Sequence, residues 1–123
     1  MIDTKILDYL NDKLDYSTYM EQPRKKPEKF YILERTAGGL TNQISEGSFV
    51  VQSYAPTLYE ASAMNDAMKG VFLNLIELPD ISRVVLNSDY NYTDPTTQQY
   101  RYQANFVVTY YEERNEEDGQ CSI

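Results

Sequence analysis

From Ala61 to Ile76 apolar residues recur every three or four positions, so Ala61, Met64, Met68, Val71, Phe72, Leu75 and Ile76 share one helical face. Glu60, Asn65, Asp66, Lys69 and Asn74 fall mostly on the other. The stretch from Ala55 to Pro79 therefore holds the clearest predicted helix. Thr57-Leu58-Tyr59-Glu60 reads as a capping box, with the Thr57 hydroxyl accepting from the Glu60 amide and the Glu60 carboxylate returning to the Thr57 amide. Pro56 forces an extended approach, and Pro79 stops the helix and pushes Leu78 toward extended geometry. At about 1.5–3 kcal/mol per large side chain, burying this face needs a flat partner.

The remaining pattern supplies one. Ile2, Ile6, Leu7, Leu10 and Leu14 form the stripe of a short N-terminal helix with Asp3 as its expected N-cap. Tyr16 to Lys29 reads as a loop, broken by Pro23 and Pro27 and carrying the basic cluster Arg24, Lys25, Lys26 and Lys29. Phe30 to Thr36 is a predicted strand, Ala37 to Asn42 a turn with Gly38-Gly39 free to take positive φ, and Glu46 to Ala55 a second strand. A third strand is expected over Ile81 to Tyr90. The fourth, Gln99 to Tyr111, alternates Tyr100, Tyr102, Ala104, Phe106, Val108 and Tyr110 with Arg101, Gln103, Asn105, Val107, Thr109 and Tyr111. The expected fold is α+β: a four-stranded, mostly antiparallel sheet with two helices on one face, in the order α-β-β-α-β-β. It forms one domain over residues 1–112, and 113–123 reads as an acidic, disordered tail. The sheet face away from the helices mixes polar residues with Val and Tyr, a composition that suits a subunit contact.

Charge and composition narrow the function. With 19 acidic and 11 basic residues the formal net charge is −8, which argues against a general phosphate-binding surface. The single cysteine, Cys121, excludes an internal disulfide. No apolar run approaches the ~20 residues that span a bilayer, and the N-terminus lacks a signal-peptide pattern, so a soluble cytoplasmic protein with no membrane partner is expected.

Candidate chemistry is sparse. There is no histidine, the usual general base and metal ligand. Asp12 with Asp15 and Glu112 with Glu113 are carboxylate pairs in solvated stretches, with nothing to shift their pKa values. Gly38-Gly39 lacks the spacing and the lysine of a phosphate loop. Asp89, Asn91 and Asp94 form a weak calcium-loop pattern without its glycine and bidentate glutamate. The expectation is a protein that is not an enzyme and takes no cofactor or metal.

One resemblance gives that protein a role. A short N-terminal helix, a Phe-x-Ile strand, and a strand running straight into a capped helix (Val50-Val51-Gln52-Ser53-Tyr54-Ala55-Pro56-Thr57-Leu58-Tyr59-Glu60-Ala61) look like the tail-terminator or tail-completion proteins of long-tailed bacteriophages. The similarity continues through the loop near Asp94-Pro95 and an Arg101-Tyr102 strand ending in Val107-Val108-Thr109-Tyr110. It covers roughly Met1 to Tyr111. The resemblance implies a homo-hexameric ring in the virion, at the head–tail interface, assembled in the host cytoplasm. Such a ring caps the tail tube, stops its polymerisation and joins the filled head. Its implied partners are other copies of the chain, the tail tube protein and a head-completion or connector protein, while DNA passes through the lumen without specific binding. Arg24, Lys25, Lys26, Lys29, Leu40, Tyr92, Asp94, Arg101 and Tyr111 are the candidate interface residues. Two alternatives stay open: another neck or head-completion adaptor, and a module binding single-stranded nucleic acid through its tyrosines.

Overall fold

The computed structural model describes residues 2–41 and 44–111, and of residues 39–41 only the backbone. In chain order the elements are α1 (Ile2–Lys13), β1 (Thr18–Tyr19), β2 (Phe30–Thr41), β3 (Ile44–Ala55), α2 (Leu58–Leu73), a 3-10 turn (Asn74–Glu77), β4 (Ile81–Asn91) and β5 (Tyr100–Tyr111). The sheet has five strands in the order β1-β2-β3-β5-β4, which corrects the expected four-stranded arrangement and its α-β-β-α-β-β order. It is mixed, because β1 runs parallel to β2 whereas the other neighbours are antiparallel. Two residues are too few to show alternation, so β1 hid inside a segment that reads as a loop. It is held from both sides: Asn11 accepts from the Thr18 amide (2.8 Å) and donates to the Thr18 carbonyl (3.1 Å). On the sheet side, the Tyr31 amide donates to the Ser17 carbonyl at 2.9 Å.

The long antiparallel ladder also reaches further than the sequence pattern. Ala37 to Thr41, expected as a turn, pairs with Ile44 to Ser48 across a register shift between Arg35 and Ala37. No glycine among the described residues takes a positive φ, so Gly38 extends a strand instead of turning one. Gly47 lies opposite it and is buried on the helix side of the sheet.

Both helices cover that same side. Phe49, Val51, Ala104, Phe106, Val108 and Tyr110 from the sheet meet Ile2, Ile6, Leu10, Ala61, Met64, Met68, Phe72 and Leu75 in one core. The predicted alternation of β5 and the predicted phase of α2 both hold in this core. Ile76 departs from it and is 49% exposed. After Leu73 the chain tightens into the 3-10 turn, whose three residues per turn rotate Ile76 away from the core while Leu75 stays inside. Leu78 is extended (φ −75°, ψ 137°), as Pro79 demands. At the other end Thr57 caps α2 by accepting from the Glu60 amide at 3.2 Å. The Glu60 carboxylate does not return to the Thr57 amide. It accepts instead from the Thr57 hydroxyl (3.0 Å) and from Lys29 (3.0 Å). Asp3 lies within the first turn of α1 and ion-pairs Arg35 of β2 at 3.5 Å.

Two contacts tie α1 to the end of the α2 segment: Lys5 to Asp80, and the Tyr9 hydroxyl to the Glu77 carboxylate at 2.5 Å. The second bond, with Glu77 holding the phenol proton, pushes the Tyr9 pKa up to about 12.

Asn65, expected on the solvent face of α2, is only 1% exposed. Its amide donates to Asp89 of β4 (2.9 Å), which also takes Lys69 at 2.7 Å. Asp89 is thereby part of the helix–sheet contact and faces away from the Asp94 turn. The Lys69 ammonium, with help from Asn65, holds the Asp89 carboxyl below its usual range, while Asp89 raises Lys69. A carboxyl with a lowered folded pKa adds stability above its ordinary value of 3.8, and loses it as pH falls through the lowered value. The raised Lys69 contributes below 10.5 and loses its contribution as pH rises through its folded value. Asp89→Asn is expected to cost about 1–2 kcal/mol near neutrality, between a surface pair and a charged hydrogen bond. Denaturant melts should show this gap closing below pH 3.8. A gap that is constant with pH would mean that the pair is not the cause.

Candidate functional site

The face of the sheet opposite the helices divides into two parts. Over β2 and the near end of β3 it is covered: Phe30 stacks on Tyr54 (4.6 Å between centroids, 6°) and Tyr19 meets Phe30 edge-on at 6.1 Å. Phe30, Ile32 and Tyr54 form a second small core there with Tyr19 against it. The segment that reads as a loop therefore does a helix's work on this side.

Beyond it, across β3, β5 and β4, lies an ordered polar ladder. Gln22 and Arg101 donate to the Tyr54 hydroxyl (3.0 and 3.1 Å), and that hydroxyl donates to the Gln52 carbonyl oxygen (2.7 Å). Gln52 then donates to Gln103 (2.8 Å), and Gln103 donates to the Tyr90 hydroxyl (2.7 Å). Asn105 donates to Ser88 on the next rung at 2.9 Å. Each amide spends its nitrogen on one neighbour and its oxygen on the other, so the chain of bonds has one direction. Cross-strand register produces it, since Gln52 pairs with Gln103 and Gln103 with Tyr90. At its margin the Arg101 guanidinium lies 4.6 Å from the Tyr92 ring and 5.7 Å from the Tyr54 ring, and its Nε donates to the Tyr92 carbonyl at 2.7 Å. Tyr90 and Tyr92 meet edge to face at 5.9 Å and are exposed. The surface thus presents fixed hydroxyl, amide and aromatic edges. That equips it for recognition by shape and hydrogen bonding.

The candidate interface residues separate between the two ends of the sheet. Tyr92, Asp94 and Arg101 gather at the end where β2 begins, together with the basic segment. Asp94 bridges Gln99 across the turn, and its carboxyl is lowered by the Thr96 amide (2.9 Å) and by Thr97. Gln98 completes that turn with φ 56°, the one non-glycine positive φ among the described residues. Leu40 and Tyr111 lie at the far end, where Leu40 pairs with Ser45 in β3 and Tyr111 with Ile44. Leu40 belongs to a strand, not to the expected loop. Arg24, Lys25 and Lys26 are exposed, whereas Lys29 is drawn into the fold by Glu60 and by the Tyr16 ring 5.3 Å away. The acidic 113–123 segment lies outside the described residues.

Gln22, Gln52, Tyr54, Tyr90 and Gln103 were missed as site residues. The alternation of β5 already placed Arg101, Gln103 and Asn105 together; what was lacking was the register that sets Gln52 beside Gln103. Among the described residues no three Asp, Glu, His or Cys side chains come together as a metal site. No helix of the described residues is long and apolar enough to cross a membrane. The sequence matches no protein-family model and no curated protein.

Proposed function

We propose that this chain is a structural subunit that assembles as a six-membered ring on the end of a phage tail tube, ends tube polymerisation and offers the surface that joins the filled head. The observation that carries the subunit-contact part is the ordered ladder from Gln22 to Tyr90, flanked by exposed Tyr90 and Tyr92. A flat face whose polar groups are already fixed loses little side-chain entropy when a partner covers it. A ring requires two different surfaces on each subunit, and the candidate residues do lie at two opposite ends of the sheet. The identity of the assembly comes from the resemblance of the Val50-to-Ala61 stretch to tail terminators. Arg101 is engaged by Tyr54 and Tyr92, which makes this face a poor phosphate-binding platform and favours a protein partner.

Light scattering of the protein alone and with purified tail tubes tests the ring. The reading predicts six subunits added per capped tube, even where the free protein is monomeric. A single subunit per tube end, or none, would overturn it.

A further inference from the structure

We infer that the acidic segment 112–118 of one copy docks on the basic segment 24–26 of another copy, and not on its own. The first support is where the free cations are. Lys5, Lys13, Lys29, Arg35 and Lys69 each sit on a carboxylate of the same chain. Arg24, Lys25 and Lys26 are exposed and form no ion pair with any described residue. They are three consecutive cations in a chain of net charge −8. Holding them together without a counter-charge is unfavourable, and an acidic partner relieves it.

The second support is where the chain goes next. Directly after Tyr111 come Glu112, Glu113, Glu116, Glu117 and Asp118, with Arg114 as the one cation among them. This is the densest run of carboxylates in the sequence, so the two charge runs are complementary.

Topology makes the contact intermolecular. The basic segment is pinned at the Tyr54 end of the sheet, on one side by Gln22 to Tyr54 (3.0 Å) and on the other by Lys29 to Glu60 (3.0 Å). β5 runs away from that end, from Tyr100 beside Ala55 to Tyr111 beside Ile44. Its length is about 37 Å at ~3.4 Å per residue. A fully extended chain from Tyr111 brings Glu117 no further than about 22 Å. The carboxylates of one copy therefore fall short of their own basic segment by more than a lysine side chain spans. Copies arranged head to tail bring the acidic end of one to the basic end of the next. That is the heterologous contact which closes into a ring. The inference needs only that copies of this chain meet, so it stands apart from the tube.

Carbodiimide coupling of full-length protein, mixed from unlabelled and heavy-isotope batches, tests it. The reagent joins a lysine amine to a carboxylate in contact. At low salt, with protein up to millimolar concentration, mixed-label peptides linking Lys25 or Lys26 to 112–118 are expected. They should disappear in about 1 M salt, where the screening length is ~3 Å. Arg24→Glu keeps both reporting amines and should lower the mixed-label yield severalfold. The same-label Lys69–Asp89 link, 2.7 Å apart in one chain, reports that the reagent works. Lys69–Asp89 coupling without mixed-label links at Lys25 or Lys26 overturns the inference, as do same-label links alone. Tube length measured on the same samples is a separate readout, so loss of the link with tubes still capped removes this contact and leaves the ring reading intact.

Discussion

Phe72→Ala is expected to lower the unfolding free energy by about 3–5 kcal/mol, the largest effect of any single substitution considered for this fold. Phe72 is fully buried in α2, and its ring lies face to face with Phe106 of β5 at 3.9 Å and 16°. Truncation removes the transfer energy of the ring and strips one side of Phe106 of its contact. The surrounding Met68, Leu75 and Val108 are themselves fully buried, so the site can collapse only partly. Urea or guanidinium melts at constant slope read the loss. A cost under about 1 kcal/mol would mean that α2 meets the sheet through a different face.

Gly47→Ala should follow with a loss of about 1–3 kcal/mol, for the opposite reason. A Cβ at Gly47 would lie 2.8 Å from Cε1 and 3.3 Å from Cζ of Phe49. Phe49 is 1% exposed and packed in the main core, so its ring cannot swing away without opening that core. Gly70 provides the internal control. It sits exposed in α2 with nothing within 4 Å of an added Cβ, and Gly70→Ala should stabilise by helix propensity alone, by up to about 1 kcal/mol. Equal effects at the two glycines in thermal melts would refute the packing argument.

These cases show which parts of the fold were legible. Period carries far: the spacing of Met64, Met68 and Phe72 and the alternation of Ala104, Phe106 and Val108 identify the two surfaces that meet. It fails where an element is too short or changes its period. Thr18–Tyr19 has no period to read, and the 3-10 turn puts Ile76 outside although it continues the helical count. Composition misled at Ala37 to Thr41, because a Gly-Gly pair permits a turn without requiring one, and here β3 holds it extended. Asn65 was misplaced because a buried polar side chain is settled by its partner, and Asp89 lies 24 residues away. The ladder on the open face was invisible for the same reason, since only register brings Gln52 to Gln103. Arg101, Tyr92 and the basic segment could be picked out by residue type alone. That Lys29 belongs to Glu60, unlike its three neighbours, could not.

The central claim is that this protein ends a growing tail tube. Its most direct test is the length distribution of tubes, measured by electron microscopy after tube protein polymerises with and without the full chain. The account predicts that tubes stop growing when the protein is added, with ring density at one end. Tubes of unchanged length, bare at both ends, would contradict it.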